Sequence, residues 1–241
     1  MTNMILGVNV EKLSRKDILE KIEKYISQPG DFIHIVSLNP ENVVIASEVS
    51  EFKRVLTAAQ IKIIDGIGIV MAARIKGIEV SRVTGVSLME ELLGLAGKLR
   101  LRVLFIGGGP NLALRLAQCY QLAYPEAKYR GTEGFKNIIK STEYEKKALF
   151  SIVSAFKPHI VFVSFGSPDQ ELWLWENRER FKGSVCMGVG GAFDFLAGKI
   201  VRAPSILRTL GFEWLFRLII QPWRWKRQLR LLKFSWMVLS S

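Results

Sequence analysis

The fold is decided by the stretch RVLFIGGGPNLALRLAQCYQLAY, residues 102–124. Its start, Arg102–Ile106, predicts a strand buried on both faces, because the apolar residues follow one another without alternating with polar ones. Gly107–Pro110 predict a tight turn, and the spacing of apolar residues from Asn111 to about Tyr124 predicts an amphipathic helix. A buried strand, a turn and a helix in succession indicate an α/β domain.

The same alternation extends along the chain on both sides of this stretch. Further strands are predicted at Ile5–Val10, Phe32–Leu38, Ile61–Ile64, Ala127–Tyr129, Ile160–Ser164 and Val185–Val189. Helices are predicted at about Arg15–Ser27, from Pro40 onward, from Gly68 to Ile75, and at Thr142–Phe156 and Glu171–Arg180. Apolar strands that alternate with helices indicate a Rossmann-like α/β core with a mostly parallel sheet.

The pattern changes after Gly198. Two helical stretches, Ile206–Ile220 and Trp223–Leu239, follow each other with only Gln221-Pro222 between them. We therefore predict an α/β core at residues 1–196 and a basic helical appendage at residues 197–241.

The positive charge and the tryptophans of the chain are concentrated in the appendage. The chain has 241 residues, 49% of them hydrophobic, and a net charge of +12; this supports the core of one large domain and excludes a disordered protein. The appendage holds nine basic residues against one acidic residue, and four of the six tryptophans. Concentrated positive charge predicts a polyanionic partner, with nucleic acid, an acidic membrane and a phosphate-bearing substrate as alternatives. Since no helix-turn-helix, RNP or KH pattern occurs, we expect no nucleic-acid partner.

The last predicted helix has contrasting faces. Its apolar stripe, at i, i+4, i+7 and i+11, consists of Trp225, Leu229, Leu232 and Trp236. Its basic residues are Arg224 and Arg227 on one side and Lys226, Arg230 and Lys233 on a flank. Either the stripe docks on the core, or the helix lies in a membrane interface with its tryptophans among the headgroups and its basic residues near anionic lipid. Four tryptophans within 23 residues favour the membrane alternative.

Several classes of protein are disfavoured. The two cysteines, Cys119 and Cys186, and the two histidines, His34 and His159, form no cluster, which argues against a disulfide framework and against a zinc site. The N-terminus has no basic leader with a long apolar run, so we expect no signal peptide and a cytoplasmic protein. No window reaches the ~18–20 apolar residues of a transmembrane helix.

Candidate site residues follow the predicted strands, because ligands of open α/β sheets bind beyond the carboxyl ends of the strands. They are Ser37, Asn39, Asp65, Gly107–Gly109, Gly166–Gln170 and Gly190–Asp194. Each also has an ordinary structural explanation as a turn or capping residue. Asp65 is therefore either a general base for an alcohol or a turn residue. Gln170 is either an amide donor in the crevice or a solvated residue of a first helical turn.

Two familiar kinds of enzyme fit poorly. No Ser/His/Asp arrangement is visible, so nucleophilic hydrolysis has no support. The turn at Gly107–Pro110 lacks the third glycine of the dinucleotide fingerprint, which makes a nicotinamide-dependent enzyme a weak fit.

Seven motifs together resemble the WecG/TagA/CpsF glycosyltransferase family, also called glycosyltransferase family 26. They are SLNPENV (37–43), DGIGIV (65–70), SRVTG (81–85), LFIGGGP (104–110), FGSPDQELW (165–173), GVGGAFDFLAGKIVRAP (188–204) and GFEWLFRLIIQPWRWKRQ (211–228). They follow the family's order over nearly the whole chain.

The resemblance implies an inverting, metal-independent transferase with a Rossmann-like core. Such an enzyme moves a sugar, N-acetylmannosamine in the best-known members, from a UDP-sugar to a polyprenyl-diphosphate-linked sugar such as GlcNAc-diphospho-undecaprenol, in teichoic acid or other surface polysaccharide synthesis. It implies a peripheral protein on the inner face of the cell membrane, held on anionic lipid by its appendage, and is compatible with a homo-oligomer. A UDP-glucose-dependent exopolysaccharide enzyme and a non-catalytic lipid- or nucleic-acid-binding module are the alternatives.

The resemblance also implies roles for individual residues. Asp65 matches the catalytic base, and Ser37 stands where the family has a threonine that contacts substrate. The implied substrate-binding residues are Asn39, Arg82, Gly107, Gln170, Asp194, Arg217, Arg224 and Arg227, the last three on diphosphate. Ser87 and Asp169 depart from the aspartate and lysine common at those positions, which leaves the identity of donor and acceptor open.

Overall fold

The computed structural model describes residues 4–135, 138 and 141–240, without the side chains of Arg224 and Lys226. The strands are β1 (Met4–Ile5), β2 (Val8–Asn9), β3 (Ile33–Leu38), β4 (Ile61–Ile64), β5 (Arg102–Gly107), β6 (Lys128–Thr132), β7 (Ile160–Ser164) and β8 (Val185–Gly188). The α-helices are α1 (Arg15–Ser27), α2 (Pro40–Glu48), α3 (Ser50–Ala58), α4 (Ile67–Ile75), α5 (Gly85–Lys98), α6 (Leu112–Ala123), α7 (Glu143–Phe156), α8 (Asp169–Glu176), α9 (Ala192–Leu196), α10 (Ser205–Thr209), α11 (Glu213–Ile220) and α12 (Trp225–Leu239).

Six strands form one sheet in the order β4-β3-β8-β7-β5-β6. All of its pairings are parallel; Phe105 of β5, for example, pairs with Phe162 of β7 on one side and with Gly131 of β6 on the other. This confirms the predicted Rossmann-like α/β core.

Both faces of the sheet are covered, which explains the continuously apolar strands. Along β5, Val103 and Phe105 belong to a core cluster shared with α1, α5 and α6. Their neighbours Leu104 and Ile106 point to the opposite face, toward α7 and α8. On that same face, at the β3–β4 end of the sheet, a third cluster joins the strands to α2, α3, α4 and α12.

The strand order creates a crevice between β5 and β7. The chain leaves β5 for the outer strand β6, whereas it leaves β7 for β8 on the other side. Because the connections run in opposite directions, the loops that follow these two strands separate, and ligands of open α/β sheets bind at such a place.

The predicted strand at Ile5–Val10 is wrong. Leu6 and Gly7 have φ angles of 48° and 78° and turn the chain back, so that β1 and β2 form a small antiparallel hairpin outside the main sheet. Three helices were not predicted, α3, α5 and α9. The chain becomes extended at Val49 and starts a new helix directly after α2, and α5 begins where the Thr84 side chain caps the Ser87 N–H.

Two predicted helices have different limits in the structure. The segment predicted at Glu171–Arg180 is α8, which starts two residues earlier and ends at Glu176, followed by a short 3-10 helix at Arg178–Phe181. The segment predicted at Ile206–Ile220 is divided into α10 and α11 at Gly211. Gly211 has a φ of 82° and lies so close to Ile67 that a methyl group there would come within 2.7 Å of its side chain, which ends the helix.

The last helix docks on the core, but not through its predicted apolar stripe. Phe234 and Val238 are the side chains buried against α2 and α4. The predicted stripe, Trp225, Leu229, Leu232 and Trp236, is 53–70% exposed. Of the two alternatives for this stripe, docking on the core is therefore wrong, and the favoured membrane alternative stays a prediction. Within the described part of the chain, no helix is long and apolar enough to cross a membrane.

The basic flank of α12 lies over the acidic residues of α2. Arg230 Nη1 is 2.7 Å from Glu41 Oε1, and Lys233 Nζ is 2.6 Å from Glu48 Oε1. These two charges are thus paired within the protein, while the side chain of Lys226 lies outside the described residues. The boundary between core and appendage at residues 196 and 197 stays a prediction.

Candidate active site

Asp65 stands at the carboxyl end of β4, between the starts of two helices. Its N–H donates to the Leu38 carbonyl at 2.9 Å, which extends the β3–β4 pairing by one residue. Its Oδ2 accepts a 3.1 Å hydrogen bond from the N–H of Gly85, the first residue of α5. Helix α4 begins two residues later, at Ile67. The carboxylate is thus held where helix N-termini favour negative charge.

Ser37 of β3 lies beside Asp65 because residue 85 is glycine. A methyl group on Gly85 would be 3.3 Å from Asp65 Oδ2 and 3.4 Å from Ser37 Oγ, so both oxygens face the same point. The Ser37 carbonyl accepts a 2.8 Å hydrogen bond from Asn42 Nδ2, which fixes the strand end on which the hydroxyl sits. The structure therefore brings together the two residues that the sequence predicted as catalytic.

A cavity of about 640 Å³ opens above Asp65, between the core and the appendage. Its polar lining includes Asp65, Asn39, Arg82, Arg217 and Arg227. Its apolar lining comes from α4, α11 and α12 and includes Met71, Trp214, Leu229, Leu232 and Phe234. The lining thus combines charged and apolar side chains, and a volume of this size suits a substrate rather than an ion.

Burial raises the pKa of the Asp65 carboxyl above its ordinary value. The Gly85 N–H and the positive charges of Arg217 and Arg82 act in the opposite direction, whereas Glu213 adds to the increase. A carboxylate with a raised pKa binds a proton more readily than one in water, which is the property required of a general base near neutral pH.

The arginines around the cavity connect the core with the appendage. Arg82 Nη1 donates to the Arg208 carbonyl at 2.7 Å, so this core side chain is tied to α10. Arg217 of α11 lies 4.2 Å from the ring centroid of Phe195. Arg227 Nε is 3.6 Å from Glu41 Oε1.

Two further predictions concern the side chain of Arg224 and the absence of a metal ion. The side chain of Arg224 lies outside the described residues, so its predicted place on diphosphate stays a prediction. Among residues 4–135, 138 and 141–240, no three His, Cys, Asp or Glu side chains are grouped to hold a metal ion. Metal-independent activity likewise stays a prediction.

Asn39 has a structural role as well as a place in the cavity lining. Its Oδ1 accepts a 2.8 Å hydrogen bond from the Asn42 N–H and caps α2. The structural explanation that the sequence left open therefore applies to this residue, and its predicted contact with substrate stays a prediction.

Gly107 and Asp194 lie elsewhere, at the crevice between β5 and β7. Gly107 has a φ of 88°, and a methyl group there would come within 2.9 Å of the Ser164 carbonyl. Asp194 is partly exposed in α9, and its carbonyl accepts hydrogen bonds from the N–H groups of Lys199 and Ile200. Lys199 Nζ, which the sequence did not single out, approaches Gly109 in the same crevice. The predicted residues thus form two groups, one at Asp65 and one at this crevice.

Gln170 joins the loops that follow β7 and β8. Its Oε1 accepts hydrogen bonds from the N–H groups of Gly166 at 3.2 Å and Gly190 at 3.0 Å. Its Nε2 donates to Glu171 Oε1 at 2.8 Å, and only 4% of the residue is exposed. As placed, the amide holds the rim of the crevice, and its predicted contact with a sugar nucleotide stays a prediction.

Glu171 is a buried residue that the sequence did not identify. It is 1% exposed, and burial raises the pKa of its carboxyl to about 7. Ser167 Oγ lies 2.8 Å from Glu171 Oε2 and 2.9 Å from Asn42 Oδ1. Because a hydroxyl donates one hydrogen, a protonated Glu171 satisfies both contacts by donating to Ser167, which then donates to Asn42.

This network connects the two groups of predicted residues. Asn42 holds the Ser37 carbonyl on one side, and Glu171 is bonded to Gln170 on the other. In the sequence, Glu171 has the ordinary signature of an acidic first helical turn, so only its burial distinguishes it.

The chain matches a known protein family. The model of the family described as "Glycosyl transferase WecG/TagA/CpsF family" matches residues 3–241, nearly the whole chain.

Proposed function

This protein belongs to the WecG/TagA/CpsF glycosyltransferase family, and we propose that it transfers N-acetylmannosamine from a UDP-sugar to a polyprenyl-diphosphate-linked sugar, GlcNAc-diphospho-undecaprenol. The product would serve teichoic acid or another bacterial surface polysaccharide. In this proposal the enzyme works without a metal ion and on the inner face of the cell membrane.

The observation that carries the proposal is the cavity over Asp65. The desolvated carboxylate of Asp65 in its lining is suited to removing a proton from an alcohol. The arginines of the lining suit a diphosphate, and the apolar side chains from α4 and α12 suit a lipid chain. A sugar linked through diphosphate to a polyprenol combines these three chemistries in one molecule.

The reaction is an inverting displacement at the anomeric carbon of the donor sugar. Asp65 takes the proton of the acceptor hydroxyl, whose oxygen forms the new bond to the anomeric carbon. The bond between that carbon and the UDP oxygen breaks, and UDP leaves with the electron pair. Arg82, Arg217 and Arg227 would balance the negative charge that develops on the diphosphate, because guanidinium groups form strong, often bidentate hydrogen bonds with phosphate oxygens.

The exposed apolar side chains support a membrane-bound enzyme. Met71 and Ile75 of α4 are 59% and 66% exposed, and Met71 shares the cavity wall with Leu229 and Leu232 of α12. With Trp236, these residues would enter the interfacial region of an anionic bilayer and place the cavity where the lipid-linked acceptor resides.

The direct test replaces Asp65 with asparagine in the full-length protein. UDP release and product formation are measured with lipid-linked GlcNAc as acceptor. We expect a loss of turnover of roughly 10²–10⁴-fold, the usual contribution of a general base. Asp31→Asn is the matched control, because Asp31 is an exposed carboxylate away from the cavity. Near-normal turnover by Asp65→Asn would show that another group is the base.

The identity of the sugar is tested separately. The wild-type protein is given UDP-N-acetylmannosamine or UDP-glucose with the same acceptor. Preferential turnover of UDP-glucose would refute the proposed donor while leaving the role of Asp65 intact.

A further inference from the structure

A second, smaller cavity lies beside the cavity over Asp65. It has a volume of about 120 Å³, and its lining residues are Arg15, Arg82, Thr84, Ser87, Arg202, Arg208 and Glu213. Arg82, Thr84 and Glu213 line both cavities, so the two spaces adjoin. The small volume suits an ion or one chemical group of a larger ligand rather than a whole nucleotide.

The cavity has an excess of positive charge. Two of its four arginines are paired with acids outside the lining, Glu90 and Glu91. The other two, Arg82 and Arg208, have no carboxylate within 4.0 Å in the part of the chain that the structure describes. The only acid in the lining, Glu213, is already paired with Arg217, one turn further along α11. Partly buried arginines without counter-charges are costly unless an anion joins them.

The hydrogen bonding of these arginines points to the same kind of ligand. The Nε atoms of Arg82, Arg202 and Arg208 are buried and have no hydrogen-bond acceptor among the described residues. Buried donors nearly always have a partner, so three of them in the arginines of one small cavity show that the described residues do not fully satisfy these guanidinium groups. A phosphate group supplies several acceptor oxygens and matches the planar guanidinium.

Neutral donors complete the cavity. Thr84 and Ser87 stand at the N-terminus of α5, and Thr84 Oγ1 donates to Ser87 Oγ at 2.9 Å. Arg202 Nη2 donates to the same Ser87 oxygen at 3.1 Å. The positive end of the helix dipole adds to the potential that favours an anion here.

We propose that this small cavity binds one phosphate group of a diphosphate substrate, held by Arg82, Arg202 and Arg208. Its role in catalysis rests on the proposed transferase: because Arg82 borders both cavities, a phosphate bound here places the attached sugar toward Asp65. Arg217 and Arg227 line only the larger cavity over Asp65. The diphosphate is that of the sugar nucleotide or that of the lipid-linked acceptor.

The test measures binding, so that it is independent of turnover. Inorganic pyrophosphate, UDP and farnesyl diphosphate are titrated into the full-length protein by calorimetry, and the melting temperature is recorded with and without each compound. Arg208→Gln removes a guanidinium but keeps the backbone carbonyl that Arg82 uses. Arg202→Gln removes a second guanidinium from the same lining. Arg54→Gln, at an exposed arginine of α3, removes one positive charge elsewhere.

We expect Arg208→Gln and Arg202→Gln each to weaken pyrophosphate binding roughly ten- to a hundredfold, the effect of losing a charge-assisted hydrogen bond. Arg54→Gln should bind like wild type, and all unliganded variants should melt near the wild-type temperature. If the same variants weaken UDP binding by a similar factor, the site belongs to the donor. If they weaken farnesyl diphosphate binding by a similar factor, it belongs to the acceptor.

The proposal is overturned if wild type does not bind pyrophosphate at millimolar concentration, or if Arg208→Gln binds it as tightly as Arg54→Gln does. If pyrophosphate binds as expected but no sugar is transferred, the anion site stands and the proposed function fails.

Discussion

Replacing Phe234 with alanine should detach the last helix from the core. Phe234 is 4% exposed, and its ring lies 3.7 Å from the place a methyl group would take on Gly68 of α4. Truncating a buried phenylalanine to alanine costs about 3–5 kcal/mol. The ion pairs that α12 makes with Glu41 and Glu48 are about half exposed on the basic side, and such pairs contribute about 0–1 kcal/mol each. Phe234 therefore contributes more to the docking of α12 than these ion pairs do.

A loss of about 3 kcal/mol increases the undocked population roughly a hundredfold. Hydrogen exchange of the α12 amides should then accelerate by a similar factor, while exchange in β3, β5 and β7 stays at the wild-type rate. Since α12 forms one wall of the Asp65 cavity, transferase activity should fall with docking.

Trp236→Ala is the matched control on the same helix. Trp236 is 69% exposed, so its removal should leave the exchange of α12 amides unchanged. It should instead weaken binding to phosphatidylglycerol vesicles, measured by cosedimentation, because an interfacial tryptophan is lost. Wild-type exchange of α12 in Phe234→Ala would refute the assignment of docking to this side chain. Unchanged vesicle binding in Trp236→Ala would refute the membrane role of the exposed stripe.

Three further substitutions test the interior. Gly85→Ala places a methyl group against Asp65 and Ser37, so kcat/KM should fall about tenfold or more with little change in melting temperature; an unchanged rate would contradict this packing. Because the pKa of Glu171 is raised to about 7, wild type should lose about 3 kcal/mol of stability as pH rises from about 4.5 to about 7. Glu171→Gln should abolish that slope in urea unfolding, and a persistent slope would assign it to another group. Burial lowers the pKa of His34 to about 3, so stability should fall as pH drops below about 6.5; His34→Leu should shift acid unfolding to lower pH, and an unchanged midpoint would refute this.

The sequence by itself determined the class of the fold and the position of the chemistry along the chain. Apolar runs such as Arg102–Gly107 identify buried parallel strands because both faces of the sheet are covered. Polar residues directly after such runs, Asp65 above all, are necessarily at the ligand-binding edge, since the carboxyl ends of parallel strands share one edge. Local pattern is sufficient for both conclusions.

Helix limits and helix faces required the tertiary structure. The break at Gly211 depends on its contact with Ile67, which is distant in sequence. The sequence placed Trp225, Leu229, Leu232 and Trp236 on one stripe, but a stripe does not tell which surface it meets. Burial of Phe234 and Val238 was decided by the complementary surface of α2 and α4.

Pairings across the chain were likewise beyond the sequence. The residues next to Gly85 in sequence do not show that the side-chain oxygens of Asp65 and Ser37 face the same point beside it. Nor do the neighbours of Glu171 show that it is buried beside Asn42 and Ser167. Nor does local pattern show that Arg82 and Arg208 share a cavity without a carboxylate partner. Charge, hydrogen bonding and pKa depend on what surrounds a side chain in three dimensions. The sequence therefore identifies which residues stand at the strand ends. Only the packing of α5 and the appendage decides which of these residues lie close together.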